Sequence, residues 1–142
     1  MKDIRFRAWD KIGKRMGEVN YIKYSNVQYN QVSARFKQNE KTVDEWFNYG
    51  DKDGCDNIIL MQYTGLKDKN GVEIYEGDIV TVFDAGEVFT GIVAYDLEEC
   101  DFKATNGEED YGNNFSYIGS VIEEIEVIGN IYENPELLKE GE

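Results

Sequence analysis

Apolar and polar positions alternate with a period of two along much of this chain. Ile4, Phe6 and Ala8 interleave with Arg5, Arg7 and Trp9, as in a strand with one face on a core. Asp10 to Gly17, rich in Lys and Gly, reads as a turn, and Val19–Tyr24 as a second strand. Residues 25–41 are polar, with Val27, Tyr29 and Val32 loosely spaced, and read as strand or loop. Thr42-Val43-Asp44-Glu45 fits a capping box, in which the Thr42 hydroxyl accepts the Glu45 N–H and the Glu45 carboxylate accepts that of Thr42. A short helix is therefore expected at 43–49, carrying Val43, Trp46, Phe47 and Gly50 on one side and ending in a solvated loop over residues 50–57.

Beyond that loop the pattern is almost wholly β. Ile58–Tyr63 is a short apolar run, Thr64-Gly65 is expected to turn it, and Asn70-Gly71 is the dipeptide that favours positive φ in a tight hairpin. Gly77-Asp78 opens a strand at Ile79–Phe83, and Gly86 separates it from another at Val88–Tyr95. A short strand is expected around Phe102, an exposed loop over residues 106–114, and a strand at Val121–Tyr132 broken near Gly129. Asn134-Pro135 supplies an N-cap and first helical position, so Pro135–Lys139 should form a terminal helical turn.

Glycine-punctuated short strands predict a mainly β (α+β) fold: a small SH3-like β-barrel in the C-terminal part, plus an N-terminal β lobe with one short helix. The Gly77-Asp78-Ile79-Val80 start is similar to the opening strand of SH3-like barrels. The organisation is either two lobes, 1–57 and 58–142, or one continuous domain over 1–142. At 142 residues such a chain buries roughly 68% of the surface its unfolded form exposes.

Composition narrows the chemistry. There is no histidine, so serine–histidine triads, histidine-paired cysteines and imidazole metal sites are excluded. Cys55 and Cys100 stand apart, without the spacing of a zinc or redox motif. Neither an apolar run of membrane-spanning length nor a signal peptide is evident, and a cytoplasmic location is expected. Charge is uneven: residues 1–57 carry 11 Lys and Arg against 9 Asp and Glu, whereas residues 58–142 carry 4 against 20. The net charge of −14 disfavours nucleic acid and anionic membranes unless one face is segregated.

Three stretches carry a family resemblance: Phe6-Arg7-Ala8-Trp9-Asp10, the run from Leu60 to Val80, and Val127-Ile128-Gly129-Asn130-Ile131-Tyr132-Glu133-Asn134. Together they resemble the YopX family, small proteins of bacteriophages and prophages. The resemblance implies a phage or prophage product in a bacterial cytoplasm and supplies no catalytic residues to carry over; no cofactor is expected.

Several residue groups merit weighing against plainer accounts. Arg5, Arg7 and Trp9 share a strand face that could hold phosphates and stack a base; the plainer account pairs the arginines with carboxylates and packs Trp9 at the core rim. Glu98, Glu99 and Asp101, then Glu108, Glu109 and Asp110, then Glu123, Glu124 and Glu126 could imitate rows of DNA phosphates, or simply form a solvated surface. The fragments Asp51-x-Asp53-Gly54-x-Asp56 and Asp68-x-Asn70-Gly71-x-Glu73 each echo part of a calcium loop but lack its sixth-position glycine and twelfth-position glutamate, so no metal is expected. Asp78 with Glu73 or Glu76 could form an acid pair, although Gly-Asp more often turns the chain. Nineteen aromatic residues exceed what a small core needs, and they place Tyr21, Tyr24, Tyr111, Phe115 and Tyr117 as candidates for an interface. The expected function is non-enzymatic binding of a protein, host or phage, or of a second copy. DNA mimicry or weak nucleic-acid binding is the alternative, and a carboxylate-dependent metal enzyme the third.

Overall fold

The computed structural model describes residues 3–25, 29–50, 56–84, 86–98, 100–105, 112–114 and 124–138. These residues are mainly β, arranged in two antiparallel sheets. The chain divides into two compact units, Ile4–Gln62, and Tyr63–Glu142 together with Met1–Asp3.

The first unit contains β1 (Phe6–Asp10), β2 (Arg15–Lys23), β3 (Asn30–Gln38), β4 (Lys41–Tyr49) and the first part of β5 (Ile58–Lys67), in the hydrogen-bonded order β4-β3-β2-β1-β5. The alternation at the N-terminus is realised, with Ala8 fully buried, although Ile4 lies exposed before the strand. The first turn is shorter than expected: β2 already begins at Arg15, and Gly17 pairs with Ala8 inside the sheet. Asp10 closes the turn by accepting the Ile12 and Gly13 N–H groups at 3.1 and 3.0 Å. On β3, Val32, Ala34 and Phe36 face inward and form the core with Ala8 and Ile58. Val19, Ile22, Val43, Phe47, Tyr49 and Leu60 pack around them.

The helix expected at 43–49 does not form. Those residues belong to β4, paired with β3 without interruption from Asn30↔Tyr49 to Gln38↔Lys41. Asn39 and Glu40, at φ 49° and 68°, make a two-residue turn of the left-handed kind that fits strand twist. Val43 and Phe47 suit the inner face of a strand, with Tyr49, as well as one side of a helix, with Trp46. The extended form wins because it lets Phe47 pack edge-on against Phe36, with centroids 6.0 Å apart, and gives the backbone nine residues of ladder.

The second unit contains the rest of β5, β6 (Glu73–Tyr75), β7 (Asp78–Asp84), β8 (Glu87–Asp96), β9 (Asp101–Thr105), β10 (Gly112–Asn114) and β11 (Glu124–Asn130). The last five strands are ordered β10-β9-β8-β7-β11 around a core of Ile74, Val80, Val82, Val93, Phe102 and Ala104. The closed small barrel expected here is not formed among the described residues: the sheet is open, with β10 and β11 as its edges. Residues 112–114, expected as loop, are a strand; 106–111 and 121–123, like the loop at 51–55, fall outside the described residues.

Thr64-Gly65 does not turn the chain either. Gly65, at φ +89°, sits in an irregularity of β5 between Tyr63 and Lys67, and the Thr64 hydroxyl donates to the Ile74 carbonyl at 2.8 Å. The reversal comes at Asp68–Gly71, as expected, with Gly71 at φ +81°. The terminal turn over Pro135–Leu138 is also present, as one 3₁₀ segment. Among the described residues no helix is long and apolar enough to cross a membrane.

Candidate interaction face

Strand alternation on β2, β3 and β4 gives the first unit an outer face opposite its core. Three cross-strand rows run over it: Glu18–Arg35–Asp44, Tyr21–Ser33–Trp46 and Lys23–Gln31–Asn48. Arg7 on β1 lies beside Glu18, so the first row alternates in sign from Arg7 through Glu18 and Arg35 to Asp44. The Arg35 Nε donates to Asp44 at 2.9 Å, which holds the arginine above its ordinary pKa and the Asp44 carboxyl below its own.

The middle row is aromatic. Tyr21 and Trp46 stack at 6.2 Å with an interplanar angle of 20°, yet they are 65% and 54% exposed. Ser33, which faces both in the register, is 2% exposed, so the two rings close over it. A flat, rigid, amphipathic surface with an ion pair on one flank and Lys23 on the other results, the composition typical of protein contact sites. Trp46 was not among the residues the sequence marked. Spacing from Val43 and Phe47 put it on the inner side of a helix, whereas a period of two from Val43 to Tyr49 would have turned it outward.

The inner side of the same unit is braced by Arg15. Its Nε donates to Asp10 at 2.9 Å, its other end pairs with Glu45, and its guanidinium lies 4.0 Å over the Phe36 ring. For Asp10, burial pushes the carboxyl up, but the Gly13 N–H, Arg15 and the Ile12 N–H outweigh it and hold the group below the usual carboxylate value.

The sequence-marked residues are dispersed. Arg5 is exposed, Arg7 and Trp9 are half-buried, and their strand β1 lies between β2 and β5 rather than at an edge. Tyr24 is 76% exposed but does not join Tyr21: it interacts with the hydroxyl of Tyr49, whose pKa burial and that neighbour raise. Among the acidic groups, Glu124 and Glu126 both engage the Lys69 ammonium at 3.4 Å, Asp101 accepts the Phe102 N–H, and Glu98 is exposed. Glu99, Glu108, Glu109, Asp110, Glu123, Tyr111, Phe115 and Tyr117 lie outside the described residues.

Buried polar side chains in the second unit serve the backbone. Asp68, 7% exposed, accepts the Asn70 and Val72 N–H groups on one oxygen and the Val127 N–H on the other, at 2.8 to 3.0 Å. Lys69 adds a backbone bond to the Ile125 carbonyl, so the turn is fastened along β11. Asp78 accepts the Tyr75 N–H, and Asn130 accepts those of Tyr132 and Glu133. Asn134 accepts the Asn130 N–H while its amide oxygen fills the space beside Gly129, where a Cβ would come within 2.7 Å of it. Among the described residues no cluster of three or more Cys, Asp or Glu could hold a metal.

The family model for YopX protein matches residues 5–139. A crystal structure of protein EF1440 from Enterococcus faecalis is similar at 30% identity and a TM-score of 0.56, over 97% of this chain and 99% of that one. Protein yopX from Bacillus subtilis is similar in fold, at 22% identity and a TM-score of 0.55, over 96% and 98% of the two chains. No curated protein matches.

Proposed function

This chain belongs to the YopX family, and from that membership and the exposed Tyr21–Trp46 pair we propose that it is a non-enzymatic phage or prophage accessory protein that works by binding another protein. The aromatic pair carries the reading. Two large rings held rigid on a strand scaffold bind at low entropic cost, and Trp and Tyr are the residues in which interface energy concentrates. The stretches that carry the family likeness contribute Asp10, Asp68, Asp78, Asn130 and Asn134, and the observed bonds of each close a turn or fasten an edge. Phosphate mimicry is less favoured, because Lys69 sits against both Glu124 and Glu126 and Lys103 pairs with Asp96 at 3.0 Å. An SH3-like character for the second unit belongs to the same proposal and rests on the Gly77-Asp78-Ile79-Val80 start of β7.

Affinity capture from phage-bearing bacterial cells, with wild type, Tyr21→Ala and Trp46→Ala in parallel, tests this. The wild type is expected to retain a protein that both variants lose by tenfold or more, corresponding to about 1.4 kcal/mol or greater. Because both rings are exposed, the variants should unfold within about 1 kcal/mol of wild type. Capture unchanged by either substitution overturns the reading. So does direct DNA binding that weakens steeply with salt.

A further inference from the structure

Sheet edges in this protein are managed unequally. β6 and β10 are three residues each, too short to template another strand. β11 is engaged on its open side by the Asp68–Lys69 turn, through the Val127 N–H and the Ile125 carbonyl. β4 is different: nine residues, without proline or bulge, paired on one side only among the described residues. Its two carboxylates do not bar a partner strand, since Asp44 is tied to Arg35 and Glu45 to Arg15, but both stay part-exposed and still disfavour a like charge placed directly opposite. Val43, Phe47 and Tyr49 on its inner face remain only half-buried.

We propose that β4 pairs antiparallel with β4 of a second copy of this chain, about a two-fold axis at Trp46. The charge pattern selects this register. A two-fold pairing keeps each residue opposite one of the same face, so the axis must pass through a single residue. An axis at Asp44 sets Asp44 against its own copy, and one at Glu45 does the same for Glu45; like charges directly opposed are destabilising. Axes at Val43 or Phe47 leave only five residues of each β4 in register. At Trp46, residues 43–49 of each copy pair with no like charges opposed: Trp46 against Trp46, Glu45 against Phe47, Asp44 against Asn48 and Val43 against Tyr49. The aromatic row then runs unbroken across both copies, and the inner apolar strip gains a neighbour at each position. Such an isologous contact closes on itself and leaves no further β4 edge.

This goes beyond the binding of another protein, and the test keeps the two apart. In a chain with Cys55→Ser and Cys100→Ser, Trp46→Cys is expected to cross-link into a covalent dimer under mild oxidation, and Asp44→Cys combined with Asn48→Cys likewise. Asp44→Cys alone should not, because the two copies of that position lie four residues apart along the strands. Sedimentation of the unmodified chain should give twice the chain mass, and Trp46→Lys should raise the dissociation constant roughly tenfold. Tyr21→Ala should leave the mass unchanged whatever it does to partner capture. A chain that sediments as a monomer at every concentration overturns the proposal. Equally fatal are cross-linking of Asp44→Cys alone, an open ladder of higher masses, or a monomer that gains only a strand from a foreign peptide at β4.

Discussion

Replacing Asp68 with alanine is expected to destabilise the second unit by about 3–5 kcal/mol, because three backbone N–H groups lose a charged acceptor at once. Two of those donors are in the hairpin turn and the third is Val127 on β11, so one side chain links segments 59 residues apart. Hydrogen exchange reads this directly: the Asn70, Val72 and Val127 amides should lose protection together, whereas a merely local turn defect would leave Val127 protected. Asp68→Asn should cost less, since one oxygen can still accept Asn70 and Val72, but its amide must then face the Val127 N–H.

Acid should act on the same bonds. Burial alone would push the Asp68 carboxyl up; the Val127, Val72 and Asn70 N–H groups, helped by Lys69, more than reverse this and hold it below 3.8. A carboxyl whose folded pKa lies below its unfolded value stabilises fully above the unfolded value and loses that contribution as pH falls through the folded one. Unfolding free energy should therefore decline from about pH 4 downward. In Asp68→Asn that decline should be shallower, with Asp10 supplying part of what remains.

Gly17→Ala is expected to cost about 2–4 kcal/mol in the first unit. A Cβ there would stand 2.7 Å from both the Arg35 carbonyl and the Phe36 ring. The ring can be trimmed but the carbonyl cannot retreat without parting β2 from β3. In a Phe36→Leu background the added cost of the alanine should fall by about half without vanishing, and that residue of the cycle measures the backbone clash. Fluorescence in urea follows the unit cleanly, because both tryptophans, Trp9 and Trp46, belong to it.

The elements that read correctly from sequence were those set by short-range chemistry. Asn70-Gly71, Gly86 and Asn134-Pro135 each impose a local backbone geometry that the fold retains. Thr42–Glu45 misled because a capping box is worth about 1 kcal/mol, far less than nine residues of ladder and a Phe47 packed against the core. The inward row Val32, Ala34 and Phe36 escaped notice because alanine is a weak hydrophobic mark and charged residues flank it. Gly65 misled differently: positive φ permits a reversal or a bulge, and Thr64, bonded across to Ile74, takes the bulge. Of the interaction face, Tyr21 was legible as a surplus aromatic. Its partner was not, since Trp46 points outward only once β4 is known to be extended.

The Asn39-Glu40 turn carries a heavier burden than its two residues suggest. Deleting one of them would shift β4 by a single step against β3 and invert its sidedness, sending Trp46 inward opposite Val32 or Ala34 and spilling Phe47 and Tyr49 into water. Length at this loop is therefore under stricter constraint than its chemistry: substitutions that tolerate left-handed φ should pass, while any odd change in residue number should fail.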